Sequence, residues 1–283
     1  MSSNPDTEYV LSLSYGKDSL ACLFAIEQLG WPLDRIIHAE VWATDDIPAD
    51  LPPMVEFKAK ADKIIKERWG IEVEHVCATD PKTKIQRTYG ERFYTPYEHR
   101  PRNKGHPVCN GYGANGIYGF PSRAKPWCNS RLKIAAINKG KHSNSVSYLG
   151  IACDEPERIA RHQKPGFKLP LVEVGWDEAF CRQICEENDL LSPIYTTSAR
   201  GGCWFCHNQG VNQLRLLRKD YPDLWELLLK WDADSPTTFK PDGHTVHDYE
   251  LRFRMEDERL LFSDDRKFRW SMLDDYTLNY RLF

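Results

Sequence analysis

Six residues near the N-terminus, Ser14-Tyr15-Gly16-Lys17-Asp18-Ser19, have the types and spacing of a phosphate cradle. Gly16 has no side chain to hold an anion away from the backbone. A helix opening near Asp18 would aim unpaired N–H groups, and the positive end of its dipole, at that anion. Ser14 and Ser19 add hydroxyl donors, and Lys17 adds charge. The plainer reading of the same residues is a glycine turn capped by Asp18 and Ser19. A second set of residues has metal chemistry. Cys203-x-x-Cys206 follows Gly201-Gly202, a tight turn that can aim two thiolates at one centre. Two ligands do not complete a tetrahedral site. Cys128 opens a helix, where thiolate is favoured, and is the nearest third ligand; Cys109 and His207 are candidates for the fourth. A redox pair, or plain reduced thiols, is the alternative. Cys22, Cys181 and Cys185 fall at apolar-type helical positions and read as core, and Cys77 and Cys153 as buried strand or strand-end residues.

A phosphate loop needs a strand before it and a helix after it. Residues 9–14 read as a short buried strand and 18–29 as a helix closed by Gly30. A second strand follows at 35–42, a helix at 53–69 and a third strand at 71–78. This alternation predicts βαβ crossovers and an α/β fold with a parallel sheet. Regularity stops between 88 and 126, where Gly, Pro, Asn and basic residues surround HRPRNKGH. A loop of that length is usually functional or disordered. Its Arg92, His99, Arg100, Arg102, Lys104 and His106 either receive a polyanion or form a solvated charged surface. Further on, a helix is expected at 129–138, a strand at 145–151, a helix at 177–188 announced by Asp177, and a helix at 212–231. Residues 196–210 read as irregular, and a polar Pro-containing linker follows Trp231. The linear division is a nucleotide-binding domain at 1–175, a helical Cys-bearing region at 176–231 and a tail at 232–283.

The 283 residues are 41% hydrophobic and 28% charged, enough for a sizeable core under a well-solvated surface. A net charge of −3 excludes a global field for nucleic acid, so such a partner would need a local basic patch. The N-terminal segment lacks a basic, then apolar, leader pattern, and no window approaches the about 18 apolar residues of a membrane span. The expectation is a cytoplasmic protein with no membrane partner. Nine cysteines, an odd number unevenly spaced, point away from a disulfide framework.

SYGKDS, after VLSL and before LACLFAIEQL, resembles the pyrophosphatase-type loop of the adenylyl-sulfate and phosphoadenylyl-sulfate (PAPS) reductase family. That family belongs to the PP-loop ATP pyrophosphatase (adenine nucleotide alpha hydrolase-like) superfamily, with the ATP-dependent tRNA thiolation enzymes and DNA-phosphorothioation proteins. Three later segments resemble the family in order. Trp127-Cys128-Asn129-Ser130-Arg131-Leu132-Lys133 is similar to its Cys-x-x-x-Leu-Lys signature, and Gly150 to Arg158 to its G-x-x-x-[DE]-E-x-x-R segment. Pro170-Leu171, Gly175-Trp176 and Gly202-Cys203-Trp204-Phe205-Cys206 are similar to its C-terminal half. The resemblance spans about residues 8–231. It implies a twisted parallel sheet with helices on both faces and a smaller Cys-bearing helical region. It implies that Ser14, Tyr15, Gly16, Lys17, Asp18 and Ser19 bind the nucleotide, with Lys17 and the serine hydroxyls on phosphate or sulfate and Asp18 near a magnesium ion. Residues 38–44 would line the adenosine side, and Lys133 and Arg158 would neutralise the distal anion; Glu155 and Arg158 could equally form a helical ion pair. For Cys128, Cys203, Cys206 and Cys109 it implies a [4Fe–4S] cluster, with zinc as the alternative.

Reductases of this family carry a nucleophilic cysteine in a C-terminal tail, whereas the last cysteine here is Cys206. Their cluster-bearing members have tandem cysteines where this chain has Trp127-Cys128. Both departures favour a different reaction, in which ATP adenylates an acceptor oxygen, pyrophosphate leaves, and cluster-borne sulfur displaces AMP. The expected function is ATP-dependent sulfur transfer. A sulfonucleotide (PAPS/APS) reductase and a catalytically inactive nucleotide-binding protein are the alternatives, the second disfavoured by intact Lys17, Asp18 and Ser19. Candidate partners are an adenine nucleotide with Mg2+, a nucleic-acid or small-molecule sulfur acceptor, and a second copy in a homodimer.

Overall fold

The apolar run that opens the chain forms β1 (Glu8–Leu13), and Gly16, extended at φ −78°, turns it into α1 (Lys17–Leu29). Gly30 ends α1 in the left-handed region at φ 60°, where its N–H bonds to the Glu27 carbonyl. β2 (Arg35–Glu40), α2 (Pro52–Trp69) and β3 (Val73–Cys77) follow, α2 beginning on the proline that suits a first helical turn. A π-helical turn (Asn129–Ile134) leads through α4 (Ala135–Lys139) to β4 (Ser145–Tyr148), α5 (Pro156–His162) and the short β5 (Phe167–Lys168). α6 (Pro170–Glu173) and α7 (Glu178–Glu187) close this part, with the Asp177 carboxylate accepting from the Phe180 N–H at 2.7 Å. The structure, a computed structural model, describes residues 7–96, 116–122, 126–196, 201–261 and 263–273.

The five strands form one all-parallel sheet in the order β3-β2-β1-β4-β5. The protein is therefore an α/β fold with helices around a parallel sheet. Val10, Leu11 and Ile36 are wholly buried and Ile37 nearly so, as strands covered on both faces must be. Right-handed crossovers place α1 and α2 on one face. The return from β3 past β1 to β4 runs the other way, which places the π-turn and α4 on the opposite face. Strand order thus reverses between β1 and β4.

Two compact units are assembled from discontinuous segments, residues 1–92 with 126–204 and residues 93–125 with 205–283. This differs from a linear division at 175 and 231. α7 packs on α1 through Cys181 and Cys185 and belongs to the first unit, as does Cys203, while Cys206 belongs to the second. The second unit contains α8 (Val211–Asp220), α9 (Pro222–Asp234) and α10 (Val246–Asp257). Phe93, Phe120, Trp231 and Phe239 form its aromatic core, with ring centroids 5.1–5.8 Å apart. Glu250 on α10 accepts from Arg218 at 2.8 Å and from the Trp225 indole at 2.7 Å, tying the three helices together.

Several boundaries shift for local reasons. The single helix expected over 212–231 is two, because Pro222 forbids helical geometry at Tyr221, which sits at φ −136°. Within the stretch expected to be irregular, residues 89–94 form α3 (Tyr89–Tyr94). After the linker the tail holds a helix: Thr245 and Asp248 form a reciprocal capping box that starts α10. Cys109, His99, Arg100, Arg102, Lys104 and His106 lie outside the described residues. No helix among the described residues is long and apolar enough to cross a membrane.

Candidate functional site

The carboxyl ends of β1, β2 and β4 open into a cleft of about 500 Å³. Loop residues Ser14, Gly16 and Asp18 line it, with His38 from β2, Gly150 after β4, Lys133 from the π-turn and Arg158 from α5. Gly150 is there because nothing larger fits. A Cβ on it would lie 2.7 Å from the Ser19 nitrogen and 2.8 Å from the Asp18 carbonyl carbon. That approach locks the end of β4 against the first turn of α1.

The loop is a ring of internal bonds. Ser19 Oγ donates to the Gly16 carbonyl at 2.9 Å and accepts the Ser14 N–H at 3.1 Å. Its single proton is thereby committed, so the 3.0 Å contact between the two hydroxyls is a donation from Ser14. Gly16 provides no side-chain cap for α1. Tyr15 takes the left-handed conformation at φ 55° and buries its ring in the core, although it also contributes to the cleft lining. Strain of this kind persists only where surroundings over-determine it. Here the Tyr15 hydroxyl donates to Asp62, and its ring meets His38 edge-on at 4.7 Å.

Lys17 is placed differently from the phosphate-binding role expected of it. The residue is buried, its ammonium contacts Asp18 at 2.7 Å and Glu178 at 3.0 Å, and it is absent from the cleft lining. Burial alone would lower its pKa, but the two carboxylates outweigh burial and raise it. Burial and the Glu178 and Glu155 charges raise Asp18, against the pull of Lys17. Lys133 and Arg158 do face the cleft. The Glu155–Arg158 ion pair forms, at 2.6 Å to Glu155 Oε2 across the start of α5, while Arg158 also lines the cleft.

Around Tyr15 lies a polar network that joins His38 and Glu40, from the stretch expected on the adenosine side, to Lys58, Asp50, Asp62 and His75. Lys58 from α2 bonds to Glu40 at 2.6 Å, Asp50 at 3.0 Å and His38 Nε2 at 3.3 Å. His75 bridges Glu40 and Asp62, at 2.8 Å to each. Burial would raise the Glu40 pKa, yet hydrogen bonds from His75 and Lys58 hold it down at about 2. The bonds to Asp62 and then Glu40 lift His75 to about 9, while burial and then the Lys58 charge lower His38 to about 4. The signs of linkage follow. The His75 contribution to stability is complete below pH 6.5 and is lost as pH climbs through about 9. That of His38 is complete above pH 6.5 and is lost as pH falls through about 4, and that of Glu40 is lost between pH 4.5 and about 2. Urea denaturation should therefore show stability falling between pH 6.5 and about 9, and His75→Gln should flatten that alkaline limb. An unchanged slope in the variant would remove His75 from the network's energetics.

Among the described residues, two groups of three side chains bring candidate metal-ligand atoms within 4.8 Å of one another, His38–Glu40–His75 and Asp18–Glu155–Glu178. Neither includes a cysteine, and in each a lysine ammonium already contacts two members. Cys203 lines the cleft, Cys128 is half-buried just before the π-turn, and Cys206 is half-buried in the second unit. Cys22, Cys181 and Cys185 are fully buried, and burial is the first cause raising each thiol's pKa. Residues the sequence did not single out are Tyr195, His162 and Asp50 in the cleft, and Glu178 beside Lys17. Comparison of the chain with protein-family models, with curated proteins and with solved structures gives no match.

Proposed function

We propose that the cleft binds an adenine nucleotide, its phosphates over the loop 14–19, and that the chain is a cytoplasmic ATP-dependent enzyme of the PP-loop type. One observation carries the reading: the loop stands at the carboxyl end of β1, where strand order reverses beside β4. Open parallel sheets receive ligands at that point, where two connections diverge and leave a crevice. α1 has no side-chain cap at Gly16, and the positive end of its dipole faces the cleft. Lys133 and Arg158 supply positive charge across the cleft, and Asp18, its one acidic loop residue, suits a magnesium ion shared with phosphate oxygens.

Adenylation of an acceptor oxygen is the reaction we assign: the oxygen attacks the α-phosphorus and pyrophosphate leaves, after which a sulfide-level nucleophile delivered by a separate sulfur donor displaces AMP from the activated acceptor. The three buried thiols nearest the loop support ATP chemistry over thiol attack, since each is held protonated. The described cysteines do not fit an iron–sulfur cluster, because none of them joins a group of converging ligand atoms among the described residues. A second reading, sulfonucleotide reduction, is favoured by one fact: Cys203 does line the cleft. The two are separated by assaying pyrophosphate release from ATP against sulfite release from adenylyl-sulfate in wild type and Cys203→Ser.

Calorimetry tests the binding step. Arg158→Ala and Lys133→Ala should each weaken Mg-ATP binding by about 1.5–3 kcal/mol, the worth of a charge-assisted hydrogen bond. Adenosine affinity should not change. A wild-type protein that produces no heat with Mg-ATP would end this reading.

A further inference from the structure

Resting on the nucleotide reading above, we infer that Tyr195 is a phosphate-contacting residue of the loop, its hydroxyl donating to a ligand phosphate oxygen. Tyr195 sits on the 3-10 turn Pro193–Thr196 and lines the cleft beside Ile194. Its hydroxyl oxygen accepts the backbone N–H of Lys17, the first residue of α1, at 3.0 Å. Gly16 makes this approach feasible, because a Cβ there would stand 3.3 Å from that oxygen. The glycine that was expected to admit an anion to the backbone therefore admits a phenol first.

Proton accounting gives the hydroxyl its role. The Ser19 proton goes to the Gly16 carbonyl, the Ser14 proton to Ser19, and the Lys17 N–H to Tyr195. The Lys17 ammonium contacts Asp18 and Glu178. Tyr195 accepts one bond and, among the described residues, donates none. A phenol carries one proton and can accept and donate together. The polarised Lys17 amide makes that phenol a better donor, since bonds in series strengthen one another. Burial raises the Tyr195 pKa, so the proton is retained for donation at neutral pH. The loop thus reaches an anion through the tyrosine hydroxyl rather than through the Lys17 amide itself.

The test is Tyr195→Phe, with Mg-ATP, inorganic pyrophosphate and adenosine as probes. We expect about tenfold weaker binding of ATP and of pyrophosphate, with adenosine affinity unchanged and only a small fall in melting temperature from the unpaired Lys17 N–H. Equal losses for all three probes would make Tyr195 a brace of the loop, and unchanged or tighter ATP binding would make its hydroxyl a plug; either overturns the inference. Wild-type protein that binds neither ATP nor pyrophosphate would overturn the nucleotide reading and this inference with it, which distinguishes the two failures. Should the variant fold poorly, 3-fluorotyrosine placed at 195 in an otherwise unchanged chain supplies a second measurement. Its fluorine resonance should move with pyrophosphate and stay put with adenosine. A resonance indifferent to pyrophosphate overturns the inference.

Discussion

Gly150→Ala should cost the protein about 3 kcal/mol of stability and remove measurable Mg-ATP binding, the upper end of what one added methyl does in a packed interior. The three nearest atoms to the new Cβ are all backbone: Ser19 N at 2.7 Å, Asp18 C at 2.8 Å and Ser19 Cα at 2.8 Å. A flexible side chain could swing aside, but the first turn of a helix cannot. Either β4 slides along β1, breaking the pairing of Tyr148 with Leu11, or α1 moves off the sheet with its loop. Both routes disturb Ser14 and Ser19, whose mutual bonds hold the loop closed. Gly201→Ala is the matched control, since its Cβ would meet only the Ile194 Cδ1 at an ordinary 3.5 Å. Urea titration should place the control within about 0.5 kcal/mol of wild type. A Gly150→Ala protein of native stability and affinity would mean that the β4–α1 approach does not shape the site.

The sequence made the first half of this arrangement legible because its signals are local. A strand, a Gly-containing loop and a helix closed by Gly30 follow one another within residues 8–30, and the order of elements then dictates a parallel sheet. Gly150 was visible as a motif residue, but its purpose was not, since the helix it touches lies far away in the chain. Lys17 shows the reverse case. Its place in the loop suggested phosphate contact, and only the packing of α7 reveals Glu178 waiting for it. The network of Tyr15, His38, Glu40, Lys58, Asp62 and His75 had no periodic signature at all. It depends on register, with Leu13 beside His38 and His38 beside His75 across three parallel strands. Tyr195 escaped notice for a similar reason: it is bonded to a residue 178 positions earlier. Sequence spacing reports what a segment does alone, whereas these contacts exist only once the sheet has formed.

Lys58→Met should destabilise the protein by about 3–5 kcal/mol, the usual consequence of stripping one partner from a buried charge cluster. Lys58 is 5% exposed, and its ammonium is held by Glu40 and Asp50 while facing His38. Methionine fills nearly the same volume, so the loss is electrostatic rather than a cavity. Glu40 keeps His75 at 2.8 Å, which places the expected cost toward the lower end of the range. Among the described residues Asp50 keeps no comparable cation, so Lys58→Met combined with Asp50→Asn should recover part of the loss, a coupling that a double-mutant cycle measures directly. Generic damage to α2 would show no such recovery. A second signature follows from the pKa of His38, which burial lowers first and the Lys58 charge lowers further. Removing the charge should move the His38 titration, followed by NMR of the ring protons, upward from about 4 toward its ordinary 6.5. Because His38 and Asp50 also line the cleft, Mg-ATP affinity should fall in the single variant and partly return in the double. A single variant of native stability with an unmoved His38 titration would show that the ammonium is a bystander, and that something other than this network holds Tyr15 in its left-handed turn.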